Sequence, residues 1–337
     1  MEAAIDAAAV VLSAAARRLI YLAADTSCEA QREAIAIADR LRARVASLTW
    51  SGALGSVLAM QEQGRASATL GEIRNRADVL VFWGVDPAVR YPRYWTRYAP
   101  EPIGLHIPEG RRSRTVIAVD AGEARGPADA DLRWIVPRQR EVAVLTMLAA
   151  AVATGPVATS DQEDDERAQV LAALHAGRYV VVVADAERDD SIPPADPDRA
   201  GALIALAQVL NATTRGALST LRGGGNRSGA DACMTWQTGY PTAVDFARGY
   251  PRYRPYDLHA DTAGAADGVL VCGSADAMPF DALRGVGDDQ LVVVGPRAST
   301  GPLAGARVVI DTGVAGIHER GTAVRMDDIA LPLLERA

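Results

Sequence analysis

The sequence predicts an α/β fold, and three observations carry that prediction. Short runs of β-branched residues alternate with longer helical runs, which is the grammar of strands and their covering helices. Two of the short runs end at a glycine, Val79–Trp83 at Gly84 and Val269–Cys272 at Gly273. The 337 residues, 49% hydrophobic and 23% charged, suffice for about two globular domains with their own cores.

Taken in order, Met1–Arg18 is Ala-rich with Glu2 and Asp6 early and its arginines at the far end. That reverses the polarity of a signal peptide and predicts an amphipathic helix. Leu19–Ala23 is apolar throughout and predicts a buried strand. Ser27 is placed to cap a helix over 27–44, with Ile35, Ile37 and Leu41 on its apolar side. Strands follow at Val79–Trp83, Thr115–Asp120 and Leu132–Val136, then a helix at Arg140–Val152. Residues 153–165 form an acidic linker in which Ser160 caps the next helix, with Asp161, Glu163, Asp164 and Asp165 complementing its dipole. Gly177 ends that helix, Tyr179–Ala184 is a strand, 186–199 an exposed loop and 200–211 a helix. A second series follows: Val269–Gly273, Leu291–Val294 and Arg307–Asp311. It parallels the first, down to an Asp and a Pro after each glycine-ended strand (Asp86-Pro87; Asp276 and Pro279). The pattern resembles a duplicated nucleotide-binding-type α/β unit.

Composition removes several chemistries. The chain has no lysine, so all 35 basic residues are arginine. Schiff-base catalysis, a P-loop lysine and a lysine general base are therefore excluded. A net charge of −7 argues against general nucleic-acid binding. Cys28, Cys233 and Cys272 are odd in number and scattered, which predicts a reducing, cytoplasmic setting. No apolar run is long enough to span a membrane. His106, His175, His259 and His318 show no metal-ligand spacing, and no G-x-S-x-G elbow is present. Cys28 lies at a helix start, where a thiol pKa can fall, but no base accompanies it, and a packing role is expected. Gly223–Gly229 is not a clean G-x-G-x-x-G and is not placed directly between a predicted strand and helix, so a flexible turn is expected rather than a dinucleotide loop.

The most unusual stretch is Trp236–Tyr253. It concentrates Trp236, Tyr240, Phe246, Tyr250 and Tyr253 with two prolines and two arginines in a chain only 5% aromatic. It shows neither helical nor strand periodicity and predicts a rigid irregular surface. Its ending, Tyr250-Pro251-Arg252-Tyr253, repeats Tyr91-Pro92-Arg93-Tyr94. Arginines occur around both blocks (Arg90, Arg93, Arg97, Arg222, Arg227, Arg248, Arg252, Arg254), and most are expected to be solvated. Arg93 and Arg252, each wedged between Pro and Tyr, are candidates for holding a carboxylate or a partner surface.

Four blocks carry a family resemblance: Thr26–Gln31; Thr69–Asp78, which reads TLGEIRNRAD; Trp236–Tyr253; and Glu319–Asp327, which reads ERGTAVRMD. Together they resemble the B subunit of formylmethanofuran dehydrogenase, of the molybdopterin oxidoreductase superfamily. The resemblance implies two interleaved Rossmann-like domains, 1–50 plus 224–337 and an inserted 51–223, without the family's iron–sulfur domain or C-terminal pterin-binding domain. Three dispersed cysteines cannot supply a four-thiolate cluster. The family's metal-supporting Cys-His pair precedes a helix that reads Gly55-Ser56-Val57-Leu58-Ala59-Met60 here, so the pair falls on Gly52 and Ala53. Neither has a donor atom. Arg222 matches an arginine that lies near the metal in the family. Trp50 and Trp236 are bulky enough to fill a vacated pterin cavity.

A scaffold without redox apparatus is similar to the B subunit of the bacterial formyltransferase/hydrolase complex. The resemblance implies a non-catalytic structural subunit that binds no cofactor itself. The complex would move a formyl group from formyl-tetrahydromethanopterin to a methanofuran-type carrier and release formate. The implied partners are a formyltransferase, an amidohydrolase-type subunit with zinc, and a further structural subunit, with no nucleic acid and no membrane. The residues expected to meet the carrier's glutamate tail or a partner are Arg93, Tyr94, Arg222, Tyr240, Arg248, Tyr250, Arg252 and Tyr253. The alternatives are a working metal-pterin oxidoreductase subunit and a stand-alone dinucleotide-dependent enzyme.

Overall fold

The computed structural model describes residues 1–154, 162–186, 197–255, 266–277, 283 and 285–335. The chain divides into two compact units, Met1–Leu54 with Gly223–Ala337, and Gly55–Arg222. Among the described residues no helix is long and apolar enough to cross a membrane.

The first unit opens with α1 (Glu2–Ala14), β1 (Arg18–Leu22), α2 (Cys28–Leu41) and β2 (Arg44–Ser47). Ser27 caps α2, its hydroxyl accepting from the Ala30 N–H at 3.3 Å. The helix ends earlier than expected because Arg42 turns left-handed and its N–H closes on the Ala38 and Asp39 carbonyls. That stop frees 44–47 to form β2, which the periodicity did not reveal. Helix α3 (Thr49–Gln63) then carries the chain out of the first unit.

The second unit contains α4 (Leu70–Arg76), β3 (Val79–Trp83), α5 (Pro87–Arg90), α6 (Pro92–Arg97), β4 (Thr115–Ala121), β5 (Leu132–Val136), α7 (Glu141–Thr154), α8 (Gln162–Ala176), β6 (Tyr179–Asp185), α9 (Pro197–Leu210) and β7 (Arg215–Leu221). The strands form one parallel sheet, ordered β5-β4-β3-β6-β7. All five residues of β3 are buried, as a parallel strand covered on both faces requires. Val144, Leu145 and Leu148 of α7 and Leu203, Ile204 and Leu206 of α9 join Trp83, Ile117 and Val182 in its core. Ser160 and most of 186–199 lie outside the described residues.

The chain returns to the first unit with α10 (Arg227–Thr238), β8 (Ala243–Asp245), β9 (Arg252–Tyr253), β10 (Gly268–Cys272), β11 (Leu291–Gly295), β12 (Val308–Asp311) and a hairpin of β13 (Gly321–Val324) and β14 (Ala330–Leu333). The main sheet runs β12-β11-β10-β1-β2-β8-β9. Its first five strands are parallel, and β8 and β9 add an antiparallel edge. The aromatic block is therefore not wholly irregular. Trp236–Thr238 is the last turn of α10, and the strands that follow are too short to show a period.

Each of the two strand series forms one wing of its unit's sheet, β3-β4-β5 before the order reverses in one and β10-β11-β12 after it in the other. The strand-ending glycines make the same hydrogen bond, Gly84 N–H to the Val119 carbonyl and Gly273 N–H to the Val294 carbonyl, each 2.8 Å. Asp86 caps α5 through the Ala88 N–H, Asp276 pairs with Arg297 at 2.5 Å, and Pro279 lies outside the described residues. Strand order reverses between β1 and β10 in one unit and between β3 and β6 in the other. Such reversals open a crevice at the strands' carboxyl ends.

Near the reversal in the second unit, the Trp83 indole donates to the Glu141 carboxylate at 2.9 Å, and Arg199 pairs with the same oxygen. Glu141 is 3% exposed and Arg199 8%. Breaking a buried pair costs more than removing it whole. Arg199→Met is expected to lower unfolding free energy by about 3–5 kcal/mol, and Glu141→Gln added to it to recover much of the loss. Urea denaturation of the two variants measures both. Equal losses in single and double variants would overturn this account.

Candidate functional site

Two of the four blocks that carry the resemblance, Thr26–Gln31 and Glu319–Asp327, meet the Gly225–Asn226 turn at the carboxyl end of β1, beside the strand-order reversal. The link is Asn226, held in left-handed conformation at φ 63° just ahead of α10. Its amide donates to the Thr26 carbonyl at 2.8 Å and lies 3.5 Å from the Cys28 sulfur, the Gln31 Oε1 and the Thr322 carbonyl. Its Oδ1 accepts from the Val324 N–H at 2.7 Å, and its backbone carbonyl accepts from the Gln31 amide at 3.1 Å. The Gly225 carbonyl accepts from the Asp25 N–H at 2.8 Å. The geometry dictates glycine here: Gly225 is at φ +78°, and a Cβ on it would meet the Ala24 Cβ at 2.6 Å. Gly225–Asn226 is thus a hydrogen-bonded turn just ahead of α10, and Arg227–Gly229 is the first turn of that helix, which corrects the expected placement away from a helix.

The same cluster holds β13. Glu29, in the first turn of α2, accepts from the Thr322 N–H at 2.8 Å and the Thr322 hydroxyl at 2.9 Å. Burial raises the Glu29 carboxyl, but these bonds and its own N–H outweigh that and set it below the ordinary value. Cys28 is the first residue of α2. The hydrogen bond with the Cys233 thiol lowers it most, burial opposes this, the Asn226 amide assists, and its pKa falls to about 7. Cys233 moves the other way because it keeps the proton of the pair. Both thiols are buried, so Cys28 serves as a packed acceptor within the cluster. Deeper in the unit, Ser47 donates to Asp231 of α10 at 2.9 Å.

The expected surface residues fall in both units. In the first, Tyr240 and Tyr253 stack, with centroids 5.3 Å apart and planes 4° apart. Arg248 and Tyr250 are exposed, and half-buried Arg252 lies opposite Asp245 in the β8–β9 register. Of the two residues bulky enough to fill a vacated cavity, Trp236 is 65% exposed at the end of α10, and the side chain of Trp50 lies outside the described residues. In the second unit Arg93 is exposed on α6, Tyr94 is 3% exposed beneath it, and Arg222 is half-buried just after β7. Burial raises the Tyr94 hydroxyl. The repeated tetrapeptide therefore adopts two structures, a helix start with Pro92 in its first turn and an edge strand. Sequence reasoning missed Asn226, Arg114, and the Glu141–Arg199 pair. Asparagine after three glycines was a legible sign of left-handed backbone, whereas Arg114 and Arg199 had none.

Asn226→Asp retains an acceptor for Val324 but turns a carboxylate toward the Thr26 and Thr322 carbonyls. A loss of about 2–4 kcal/mol is expected in chemical denaturation, and an unchanged midpoint would refute the central role of this amide. Because the Glu29 carboxyl is depressed in the fold, its stabilisation is complete above the unfolded value of about 4.3 and is lost as pH falls through the folded one. Glu29→Gln should flatten that acid limb when unfolding is followed from neutral pH downward.

No family model matches the chain. It is 31% identical to the B subunit of the tungsten-containing formylmethanofuran dehydrogenase 2 of Methanocaldococcus jannaschii, across 98% of this chain and 78% of that protein. The corresponding protein of Methanococcus maripaludis is 30% identical over the same shares, 98% and 78%. In fold it is similar to a chain of the formyltransferase/hydrolase complex of Methylorubrum extorquens solved with methylofuran. The TM-score is 0.79 at 22% identity, covering 99% of this chain and 90% of that one. Tungsten held by protein needs donor side chains. Gly52 and Ala53, in α3, have none, and among the described residues no group of three His, Cys, Asp or Glu gathers. This donor set does not fit a tungsten ligated at that helix. On overall sequence similarity, the chain belongs to the family of formylmethanofuran dehydrogenase B subunits.

Proposed function

We propose that this chain is a non-catalytic structural subunit of a cytoplasmic formyltransferase/hydrolase complex. The complex moves a formyl group from formyl-tetrahydromethanopterin to a methanofuran-type carrier and releases formate. The reading rests on two things: similarity to the B subunits spans 98% of the chain, and Gly52 and Ala53, where the resemblance places the family's metal-supporting Cys-His pair, carry no donor atom. The two compact units correspond, on this reading, to interleaved Rossmann-like domains. Chemistry belongs to a formyltransferase and a zinc amidohydrolase-type subunit, and a further structural subunit completes the complex.

The arginine and tyrosine surfaces receive the carrier's acidic tail or a partner. In the first unit these are Tyr240, Arg248, Tyr250, Arg252 and Tyr253. In the second they are Arg93, set on the buried Tyr94, and Arg222. Guanidinium groups bind carboxylates in paired hydrogen bonds, and an arginine-only surface suits a polyglutamate tail. Charge reversal at Arg93 and Arg252 is expected to raise the carrier concentration needed for half-maximal formate release, with the effect shrinking at high salt. Unchanged carrier dependence would remove this assignment.

The tungsten-containing relatives favour a second reading, a metal-pterin oxidoreductase subunit. Anaerobic purification of the tagged chain from its native host separates the two. The proposal expects a co-eluting formyltransferase and amidohydrolase, formyl-carrier-to-formate activity, and neither tungsten, molybdenum nor pterin in proportion to the chain. Stoichiometric metal with pterin would establish the second reading instead.

A further inference from the structure

Cys28 and Cys233 are 205 positions apart in sequence, on either side of the inserted second unit. In the first unit they are neighbours. Cys28 is the first residue of α2, and Cys233 lies in the middle of α10. The Cys233 sulfur is 3.5 Å from the Cys28 carbonyl oxygen, and its thiol hydrogen-bonds to the Cys28 sulfur. The Asn226 amide lies 3.5 Å from that same sulfur. Cys272, in β10, makes no such contact among the described residues.

The two thiols differ in the way a nucleophile and its resolving partner differ. The Cys233 thiol and the Asn226 amide both donate toward Cys28, and the start of α2 adds its dipole. The bond from Cys233 has the largest effect, burial and Glu29 oppose it, Arg32 assists, and the balance sets Cys28 at about 7. Near neutral pH a large fraction of it is therefore thiolate. Cys233 is raised by the same bond and by burial, so it holds its proton. Burial alone pushes Cys272 up to about 12. The fold thus singles out one of three thiols for attack and places a second against it.

Access selects the reagent. Cys28 is 2% exposed, but its surroundings open outward: Glu29 is exposed, and Thr26, Asn226 and Thr322 are half-buried. A molecule close to water in size, such as hydrogen peroxide, can enter between these polar groups. A tripeptide disulfide is too large. Cys233 is 0% exposed and is reached through Cys28.

We propose that Cys28 and Cys233 are a peroxide-oxidisable pair, Cys28 attacking and Cys233 resolving, whose disulfide clasps the two sequence-separated parts of the first unit. The Cys28 thiolate attacks one oxygen of the peroxide and the O–O bond breaks. The departing hydroxide combines with the proton Cys28 released and leaves as water. Cys28 is now a sulfenic acid. The Cys233 sulfur attacks the Cys28 sulfur, the S–O bond breaks, and the hydroxyl leaves with the Cys233 proton as a second water. The thiols lose two electrons and the peroxide gains them. The new bond closes a loop around the inserted unit, which restricts the unfolded chain.

The test treats the reduced full-length chain with hydrogen peroxide and maps its cysteine peptides by mass spectrometry. A Cys28–Cys233 link should form before Cys272 is modified, and dithiothreitol should reverse it. The urea midpoint of the oxidised chain should exceed that of the re-reduced chain. Glutathione disulfide should leave the native chain unlinked. In urea, the preference for Cys28 over Cys272 should vanish. Cys233→Ser should hold Cys28 as a sulfenic acid that dimedone traps, and Cys28→Ser should slow loss of the Cys233 thiol about tenfold or more. Cys272 reacting as fast as Cys28 in the native chain would overturn the pair. So would Cys28 oxidised with Cys233 still a thiol, or Cys28 left unoxidised when native but not in urea. A link with an unchanged midpoint would overturn the clasp. Wild-type mapping decides the pair even if neither variant folds.

Discussion

The first unit depends on what one side-chain amide reaches from a left-handed backbone. Asn226 bonds to residues 200 positions before it and 98 after it. The segments it joins have little regular structure of their own with which to find each other. Among the described residues the hairpin β13–β14 pairs only with itself, and an isolated two-stranded hairpin is marginal in water. Thr322 on Glu29 and Val324 on Asn226 supply the missing partners. The chain leaves this unit at α3 and returns at residue 223, so the amide also fixes where the returning chain enters α10 relative to β1.

The second unit relies on buried arginine in two different ways. Arg199 meets a carboxylate that also accepts from Trp83, so its charge is compensated within the core. Among the described residues the Arg114 guanidinium meets only main-chain carbonyls, and burial lowers its pKa to about 10. It remains cationic at neutral pH and acts as a multidentate donor for a turn whose carbonyls have no strand to bond to. With no lysine in the chain, such tasks fall to a planar fork that can serve several acceptors at once.

Much of the sheet framework was legible because parallel strands buried on both faces read as continuous apolar runs. Val79–Trp83 and Leu132–Val136 match their predicted limits, and the other predicted strands shift by a residue or two. Strand β2 was hidden by the helix before it, β7 by its small and polar residues, and β8, β9 and the hairpin by their brevity. The site was less legible. Its blocks could be named from the resemblance, but their meeting depends on contacts separated by up to 293 positions, which no local pattern encodes. The repeated Tyr-Pro-Arg-Tyr is a sharper case. Proline at the second position suits both the first turn of a helix and an edge strand, so identical residues yield a buried Tyr94 in one unit and a stacked Tyr253 in the other.

The division of labour among residues bears on how a family fold can outlast its chemistry. The contacts that assemble the first unit's cluster lie in Thr26–Gln31, Gly225–Asn226 and Thr322–Val324. None of them involves Gly52 or Ala53. A helix interior accepts alanine at almost no conformational cost, and Ala53 is fully buried there. Replacing donor residues at such positions would remove a metal's ligands while leaving the cluster, the sheet order and the outward-facing surfaces as they are. On the subunit reading, what persists is what assembly needs, namely the hydrogen-bonded turn at Asn226 and the surfaces each unit presents. Selection acting on assembly would retain those even with no reaction on this chain to support.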